Sequence, residues 1–138
     1  KYFDQVFEYV KSVGLQGRVQ YCGTLDKKEL FSHMKGAEVV LSLQKTSNLG
    51  NTLIEALSCE SVVLSYKEPS LEAFLKNGES AILVDNISSA GVAILAIQEH
   101  PALAIRLRKQ GKKALYSEFE NWNDRISNEL AQIYDVIT

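Results

Sequence analysis

The chain has 138 residues, of which 46% are hydrophobic and 23% charged, and its formal net charge is −2. This length and composition predict one soluble globular domain, and the small net charge gives no overall attraction to nucleic acid or to anionic lipid. The apolar runs are too short for a transmembrane span, and we find no signal-peptide pattern. We interpret Cys22 and Cys59 as reduced, buried thiols of a cytoplasmic protein.

Short apolar runs alternate with helical patterns along the first two-thirds of the chain. The predicted elements are a helix at 2–13, a strand at 18–22, a helix at 26–35, a strand at 38–43, a helix at 50–58, a strand at 61–65, a helix at 69–76 and a strand at 81–84. Helices at 88–98, at 101–118 and from 121 onward follow. Continuous apolar strands are typical of parallel sheets covered on both faces. The alternation therefore predicts a Rossmann-like, doubly wound parallel α/β sheet with extra C-terminal helices.

Local signals define several of these boundaries. Gly14 is predicted to end the first helix. Asp26 and Glu29 have the spacing of a capping box at the start of the second. Pro69 is a favoured first-turn residue, and Ser88 is a predicted N-cap.

The loop from Ser47 to Thr52 carries the clearest functional signal. It follows the strand predicted at 38–43 and opens a helix, so its backbone N–H groups and the helix dipole favour an anion. Ligands of parallel sheets bind at the edge formed by the carboxyl ends of the strands, where this loop lies. Gly50 permits close approach of a ligand to the backbone. An ordinary helix N-cap is the alternative, because Ser, Asn and Thr are common cap residues.

Glu55 lies further along the helix that this loop opens. Leu53, Ile54 and Leu57 are predicted to face the core, which leaves Glu55 on the opposite side together with Asn51. A carboxylate can accept hydrogen bonds from two vicinal hydroxyls, and ribose O2′ and O3′ are such a pair. The alternative is an ordinary solvated surface carboxylate.

The remaining titratable residues give weaker signals. His33 and His100 have no Cys, Asp or His at metal-ligand spacing, so we predict structural or solvated roles for both and no metal site. A basic run on one helix is interpreted as a solvated face, with docking to lipid headgroups as the alternative. Its members are Arg106, Arg108, Lys109, Lys112 and Lys113.

The order of these motifs resembles the C-terminal domain of the retaining, family-4 group of GT-B glycosyltransferases, also described as glycosyl transferases group 1. The resemblance covers roughly residues 10–137, and its main segments are 19–23, 37–42, 47–57, 62–64, 72–84 and 130–134. It implies a hexosyltransferase whose second Rossmann-like domain holds a nucleotide-sugar donor, a UDP- or GDP-sugar. It also implies an N-terminal acceptor-binding domain that this chain lacks.

The resemblance assigns roles to individual residues. Glu55 matches the second glutamate of the family's pair and would hold the ribose hydroxyls, whereas Ser47 occupies the position of the first glutamate. No cofactor or metal is implied, because the donor is a substrate and the helix N-terminus offsets the phosphate charge. The residues that match the donor site, from the base to the diphosphate, are Gly23, Thr24, Leu25, Asn48, Leu49, Gly50, Asn51 and Thr52.

Further expectations follow from the resemblance. Residues 1–138 are predicted to be one donor-binding domain, excised from a longer two-domain enzyme and inactive alone. The family's acceptors imply a cell-envelope polysaccharide or glycolipid pathway. The expected location is cytoplasmic, with peripheral contact of the full-length protein with the inner face of the membrane, and no nucleic-acid partner.

Two other functions remain open at this point. One is a glycosyltransferase-like partner subunit without catalysis, which the serine at position 47 would fit. The other is a receiver-like signalling module on a similar sheet. That module needs a cluster of acidic residues at the ends of its strands. At the predicted strand ends of this sequence, Asp85 is the one acidic residue.

Overall fold

The computed structural model describes residues 2–44 and 51–118. The chain forms two compact units, of which the first ends at Leu30 and the second begins at Phe31. The described elements are α1 (Tyr2–Ser12), α2 (Lys27–Gly36), β1 (Val39–Ser42), α3 (Asn51–Ser58), β2 (Val62–Tyr66), α4 (Pro69–Glu72), β3 (Ile82–Val84), α5 (Ile87–Glu99) and α6 (Pro101–Glu118). The helix predicted from residue 121 lies outside the described residues. No helix in the described ranges is long and apolar enough to cross a membrane.

In the first unit, α1 ends at a glycine, as predicted. Gly14 has a φ of 73°, a conformation that glycine adopts without steric cost. The Leu15 N–H donates to the Val10 carbonyl at 2.9 Å, and the Gly14 N–H donates to the Lys11 carbonyl at 3.1 Å. These two bonds are those of the Schellman motif, which satisfies the last carbonyls of a helix.

The strand predicted at 18–22 is absent, so that prediction is wrong. A strand forms only when a neighbouring strand completes its hydrogen bonds, and the described residues provide no such partner for this segment. The Tyr21 ring packs instead against α1, with centroid distances of 4.4 Å to Phe3 and 6.4 Å to Phe7. Cys22 is a free and exposed thiol, which corrects the prediction that it is buried.

The capping box at the start of α2 is confirmed in both directions. The Glu29 N–H donates to Asp26 Oδ1 at 2.8 Å, and the Asp26 N–H donates to Glu29 Oε2 at 3.1 Å. At the other end of α2, Met34 is buried and its carbonyl accepts a 2.7 Å hydrogen bond from the Ser61 hydroxyl. This buried bond ties the end of α2 to the residue that precedes β2.

The second unit is built on a parallel sheet in the order β1-β2-β3. Residues 62–65 of β2 are all buried, as expected for a continuous apolar strand covered on both faces. β1 lies at an edge of the described sheet and is less covered, since 49% of Leu41 is exposed. The strand order follows the chain order, so the reversal of a doubly wound sheet is not among these three strands.

Helices α5 and α6 cover one face of the sheet. Val62 packs with Ile97 of α5 and Leu107 of α6, and Leu64 packs with Val84 and with Ala90 of α5. Alternate residues of a strand point to the same face of the sheet. Val62 and Leu64 of β2 and Val84 of β3 therefore form one side of the core.

Helix α4 and helix α5 have boundaries that differ from those predicted. Pro69 begins α4 as expected, but the helix ends at Glu72, and beyond it the Lys76 N–H donates to the Ser80 hydroxyl at 2.8 Å. Asn86, rather than Ser88, is the N-cap of α5, and its Oδ1 accepts from the Ser89 N–H at 3.0 Å. The extended backbone of Asn86 lets its side-chain oxygen reach that free N–H.

Helix α3 ends in a second Schellman motif, but with a glutamate at the left-handed position. Glu60 has a φ of 59°, the Ser61 N–H donates to the Ala56 carbonyl at 3.0 Å, and the Glu60 N–H donates to the Leu57 carbonyl at 3.1 Å. The Glu60 side chain accepts a 2.5 Å hydrogen bond from Lys112 of α6. That bond holds the pKa of Glu60 below its ordinary value and raises the pKa of Lys112.

We expect Glu60→Gly to melt a few degrees above Glu60→Ala. Both variants lose the ion pair with Lys112, and only glycine adopts this left-handed backbone without steric cost. The comparison requires thermal unfolding followed by circular dichroism at neutral pH. Equal melting temperatures would show that the backbone of Glu60 is not strained in solution.

Candidate functional site

Polar residues follow each described strand at the same edge of the sheet. β1, β2 and β3 are parallel, so their carboxyl ends, at Ser42, Tyr66 and Val84, lie side by side. The Ser65 hydroxyl donates to the Ser42 carbonyl at 2.8 Å. This bond joins the ends of β1 and β2 where the chain enters the loop before α3.

A cleft of about 520 Å³ opens at this edge. Its size falls within the roughly 300–1,000 Å³ of small-molecule sites. Its walls come from the last residue of β2, from residues that follow the three strands by one or two positions, and from the first residue of α5. The lining residues are Gln44, Tyr66, Lys67, Glu68, Asp85, Asn86 and Ile87.

The charged groups of the cleft are partly paired with one another. Lys67 Nζ donates to Asp85 Oδ2 at 2.9 Å, across the ends of β2 and β3. Glu68 Oε1 accepts a 2.8 Å hydrogen bond from the Ser70 hydroxyl. Because both side chains of the ion pair are well exposed, the pair orients the groups more than it stabilises the fold.

The predicted ribose site lies at the start of α3. The helix begins at Asn51, next to Thr52, and both residues are exposed. Glu55 is half-buried, four residues after Asn51, and therefore on the same side of the helix. Glu55 is therefore not a fully solvated carboxylate, and its binding of ribose stays a prediction.

The opposite face of α3 differs in one residue from the prediction. Leu53 and Leu57 are buried as expected, but Ala56 completes the buried face and Ile54 is half-buried. Asn51, Thr52 and Glu55 are not among the described residues that line the cleft. The predicted residues Ser47, Asn48, Leu49 and Gly50 lie outside the described ranges.

The three residues predicted to lie along the nucleotide base belong to the first unit. Gly23 has a φ of 65°, so a side chain at this position would strain the backbone. Thr24 is exposed and Leu25 is half-buried. Their role in binding a base stays a prediction.

Sequence reasoning missed the residues of the cleft as site candidates. The signal was available, because Gln44, Lys67 and Asp85 each follow a strand of a parallel sheet by one or two positions. The receiver-like alternative needs an acidic cluster around Asp85, whereas the structure pairs Asp85 with Lys67.

Neither histidine forms part of a metal site in the described ranges. His33 and His100 are exposed, and no group of three or more His, Cys, Asp or Glu side chains comes together among residues 2–44 and 51–118.

Two residues of the basic run on α6 form hydrogen bonds or ion pairs within the fold. Arg106 donates to the Gly78 carbonyl at 3.0 Å, and Lys112 pairs with Glu60.

The chain is similar in sequence and in fold to known glycosyltransferases. A family model described as "Glycosyl transferases group 1" matches residues 1–114. The chain is 25% identical over 118 residues to the lipopolysaccharide core biosynthesis glycosyltransferase LpsE of Rhizobium meliloti (strain 1021). The aligned residues make up 84% of this chain and 34% of that protein.

Solved structures show the same fold. A sucrose-phosphate synthase from Thermosynechococcus elongatus matches 97% of this chain and 34% of its own, at 25% identity and a TM-score of 0.80. Alr3699/HepE of Anabaena, in complex with UDP-glucose, matches 95% of this chain and 37% of its own, at 16% identity and a TM-score of 0.82. The chain thus spans about a third of the length of these relatives. The predicted α/β fold with a parallel sheet is confirmed.

Proposed function

The chain belongs to the glycosyl transferases group 1 family, and from this premise we propose that it is the donor-binding half of a retaining, family-4 GT-B glycosyltransferase. In this proposal a UDP- or GDP-sugar is the donor and a hexose is transferred to a saccharide or glycolipid held by an N-terminal domain. The Anabaena relative was solved with UDP-glucose, which supports a nucleotide-sugar donor. The LpsE relative, which is named for lipopolysaccharide core biosynthesis, supports a cell-envelope pathway. A cytoplasmic location, peripheral to the membrane, is part of the proposal.

One observation carries the proposal: α3 begins at the carboxyl edge of the sheet and holds Glu55 half-buried just beyond its first turn. The first N–H groups of a helix are unpaired within the helix and attract an anion such as a diphosphate. A carboxylate next to that anion site can accept both hydroxyls of a ribose. The two groups together fit a nucleoside diphosphate better than either a phosphate or a sugar alone.

The same geometry suggests how the domain supports the reaction. Negative charge grows on the diphosphate as the bond to the sugar breaks, and the positive end of α3 stabilises that charge without a metal ion. Ser47 carries no charge, so at this position it would orient the donor sugar by hydrogen bonding. Transfer also needs the N-terminal domain that holds the acceptor, which is why this chain alone is expected to be inactive.

We expect Glu55→Ala to weaken the binding of UDP to the full-length protein about tenfold or more. The loss follows because hydrogen bonds to a charged group contribute about 1.5–3 kcal/mol each. Isothermal titration calorimetry with UDP and with 2′-deoxy-UDP checks the assignment. Wild type should prefer UDP, and Glu55→Ala should lose that preference, because the ribose O2′ then has no carboxylate to bind.

Glu72→Ala is the matched control for this experiment. Glu72 is an exposed carboxylate at the end of α4 and does not line the cleft. Its loss should leave both affinities unchanged. Unchanged discrimination between UDP and 2′-deoxy-UDP in Glu55→Ala would show that Glu55 does not hold the ribose.

A partner subunit without catalysis is the second candidate, and Ser47 is the observation that favours it. The position would normally hold a glutamate, eight residues before Glu55. Turnover of a nucleotide-sugar donor by the full-length protein decides between the two functions. Donor binding without turnover, restored to turnover by Ser47→Glu, would assign the protein to the non-catalytic class.

A further inference from the structure

The charge of the cleft at the carboxyl edge argues against an anionic ligand. Its described walls carry two carboxylates, Glu68 and Asp85, against one ammonium group, Lys67, which leaves an excess of one negative charge. The ammonium group is already bonded to Asp85 at 2.9 Å. A phosphate placed here would face this negative excess, and at the start of α5 the Asn86 side chain already accepts the Ser89 N–H, so the cleft is a poor continuation of the diphosphate site.

The polar groups of the cleft suit hydroxyl groups instead. Asp85 uses Oδ2 for Lys67, which leaves Oδ1 to accept hydrogen bonds. Asn86 uses its Oδ1 to cap α5, so its amide N–H groups are the donors that it can offer. Gln44 adds an exposed amide with both a donor and an acceptor. Together, the carboxylate and the two amides can accept hydrogen bonds from the vicinal hydroxyls of a sugar and donate hydrogen bonds to them.

The same cleft also offers apolar surface. Tyr66 is half-buried and packs against the core cluster of Leu64, Val84 and Ala90. Ile87, the first residue of α5, also lines the cleft and is 63% exposed. A pyranose ring has apolar C–H faces as well as polar edges, so a site with an aromatic ring and an aliphatic side chain among amides matches both parts.

We infer that this cleft binds a neutral saccharide unit of the acceptor, so that the donor half also contributes to acceptor recognition. The inference rests on the proposed glycosyltransferase function, and it assigns to the cleft a ligand other than the nucleotide. The predicted ribose residues Asn51, Thr52 and Glu55 are not among the described lining residues. Gln44 connects the two places, because it lies in the cleft and shortly precedes the loop that leads to α3.

The test uses the full-length protein and saturation-transfer difference NMR. The probes are the methyl glycosides of glucose, galactose, mannose and N-acetylglucosamine, each measured with the protein saturated with UDP. At least one glycoside should bind, and Asp85→Ala should weaken it about tenfold, since one charge-assisted hydrogen bond is lost. Glu99→Ala is the matched control, because Glu99 is an exposed carboxylate at the far end of α5 and should not change the affinity.

A second variant separates binding from folding. Ile87→Ser removes apolar surface at an exposed position, so it should weaken glycoside binding while the melting temperature stays near that of wild type. The inference is overturned if no glycoside binds the UDP-loaded protein, if Asp85→Ala binds as wild type does, or if inorganic phosphate displaces the glycoside. UDP affinity, measured on the same samples, tests the donor assignment separately. Intact UDP binding without a glycoside signal overturns only the cleft assignment.

Discussion

Replacing Gly111 by alanine should destabilise the protein by about 1–3 kcal/mol, as overpacking of a well-packed core does. Gly111 is buried in α6, where a Cβ atom would lie 2.7 Å from the Ser80 carbonyl oxygen and 2.9 Å from Leu57 Cδ2. Real Cβ atoms do not approach backbone oxygens this closely. The Ser80 carbonyl belongs to a backbone turn, so relief requires α6 to move away from that turn.

The direction of this effect is opposite to the usual one. Alanine normally stabilises a helix interior by about 1 kcal/mol over glycine. Gly91 is the matched control, because it also lies inside a helix, α5, and a Cβ there would meet nothing within 4 Å. We therefore expect Gly91→Ala to raise the free energy of unfolding and Gly111→Ala to lower it.

Urea denaturation of the two variants and of wild type measures both changes. Similar slopes against urea concentration would show that the unfolding transitions are comparable. A Gly111→Ala protein as stable as wild type would mean that α6 does not approach the turn at Ser80 as closely as the structure shows.

Asn77→Ala should cost about 1–3 kcal/mol, the cost of leaving a buried hydrogen-bonding group without a partner. Asn77 Oδ1 accepts the Leu83 N–H at 2.9 Å, and Leu83 is only 2% exposed. In a parallel strand, alternate residues bond to opposite sides. The Val84 carbonyl accepts the Lys67 N–H at 2.9 Å, so Val84 bonds to the β2 side and Leu83, one residue earlier, turns its N–H away from β2. The asparagine side chain thus takes the place of a neighbouring strand at this edge of the described sheet.

Asn77→Asp is the matched comparison, because a carboxylate oxygen can still accept the Leu83 N–H. We expect Asn77→Asp to retain most of the stability and Asn77→Ala to lose it. An unpaired strand edge also promotes association between molecules, so Asn77→Ala should form oligomers more readily in size-exclusion chromatography. Equal stability of the two variants would show that this hydrogen bond does not protect the edge.

Local signals in the sequence predicted the helix ends and caps well. Gly14 and the pair Asp26 and Glu29 form the bonds expected of them, because a cap depends on residues only a few positions apart. The N-cap of α5 was misplaced by two residues, since Asn86 and Ser88 are both good caps. Backbone conformation, rather than residue type, decides between such neighbours.

The strand at 18–22 shows where sequence reasoning fails. Its residues have the composition of a strand, but pairing depends on another segment that is distant in the sequence. Tyr21 packs against the rings of Phe3 and Phe7 instead, contacts that no periodicity reveals. The sheet edge at which Gln44, Lys67 and Asp85 lie follows from a parallel sheet, but the cleft that they line depends on how three separate strand ends pack together.

The amino-acid sequence by itself determined the family, the α/β alternation and the candidate role of Glu55, because these depend on short-range patterns and on the order of motifs along the chain. Only the tertiary structure decided that Gly111 must stay small, that Asn77 seals a strand edge and that the ends of β2 and β3 share a cleft. Each of these properties arises where residues far apart in the sequence meet. Contacts of that kind follow from packing, which no single segment specifies.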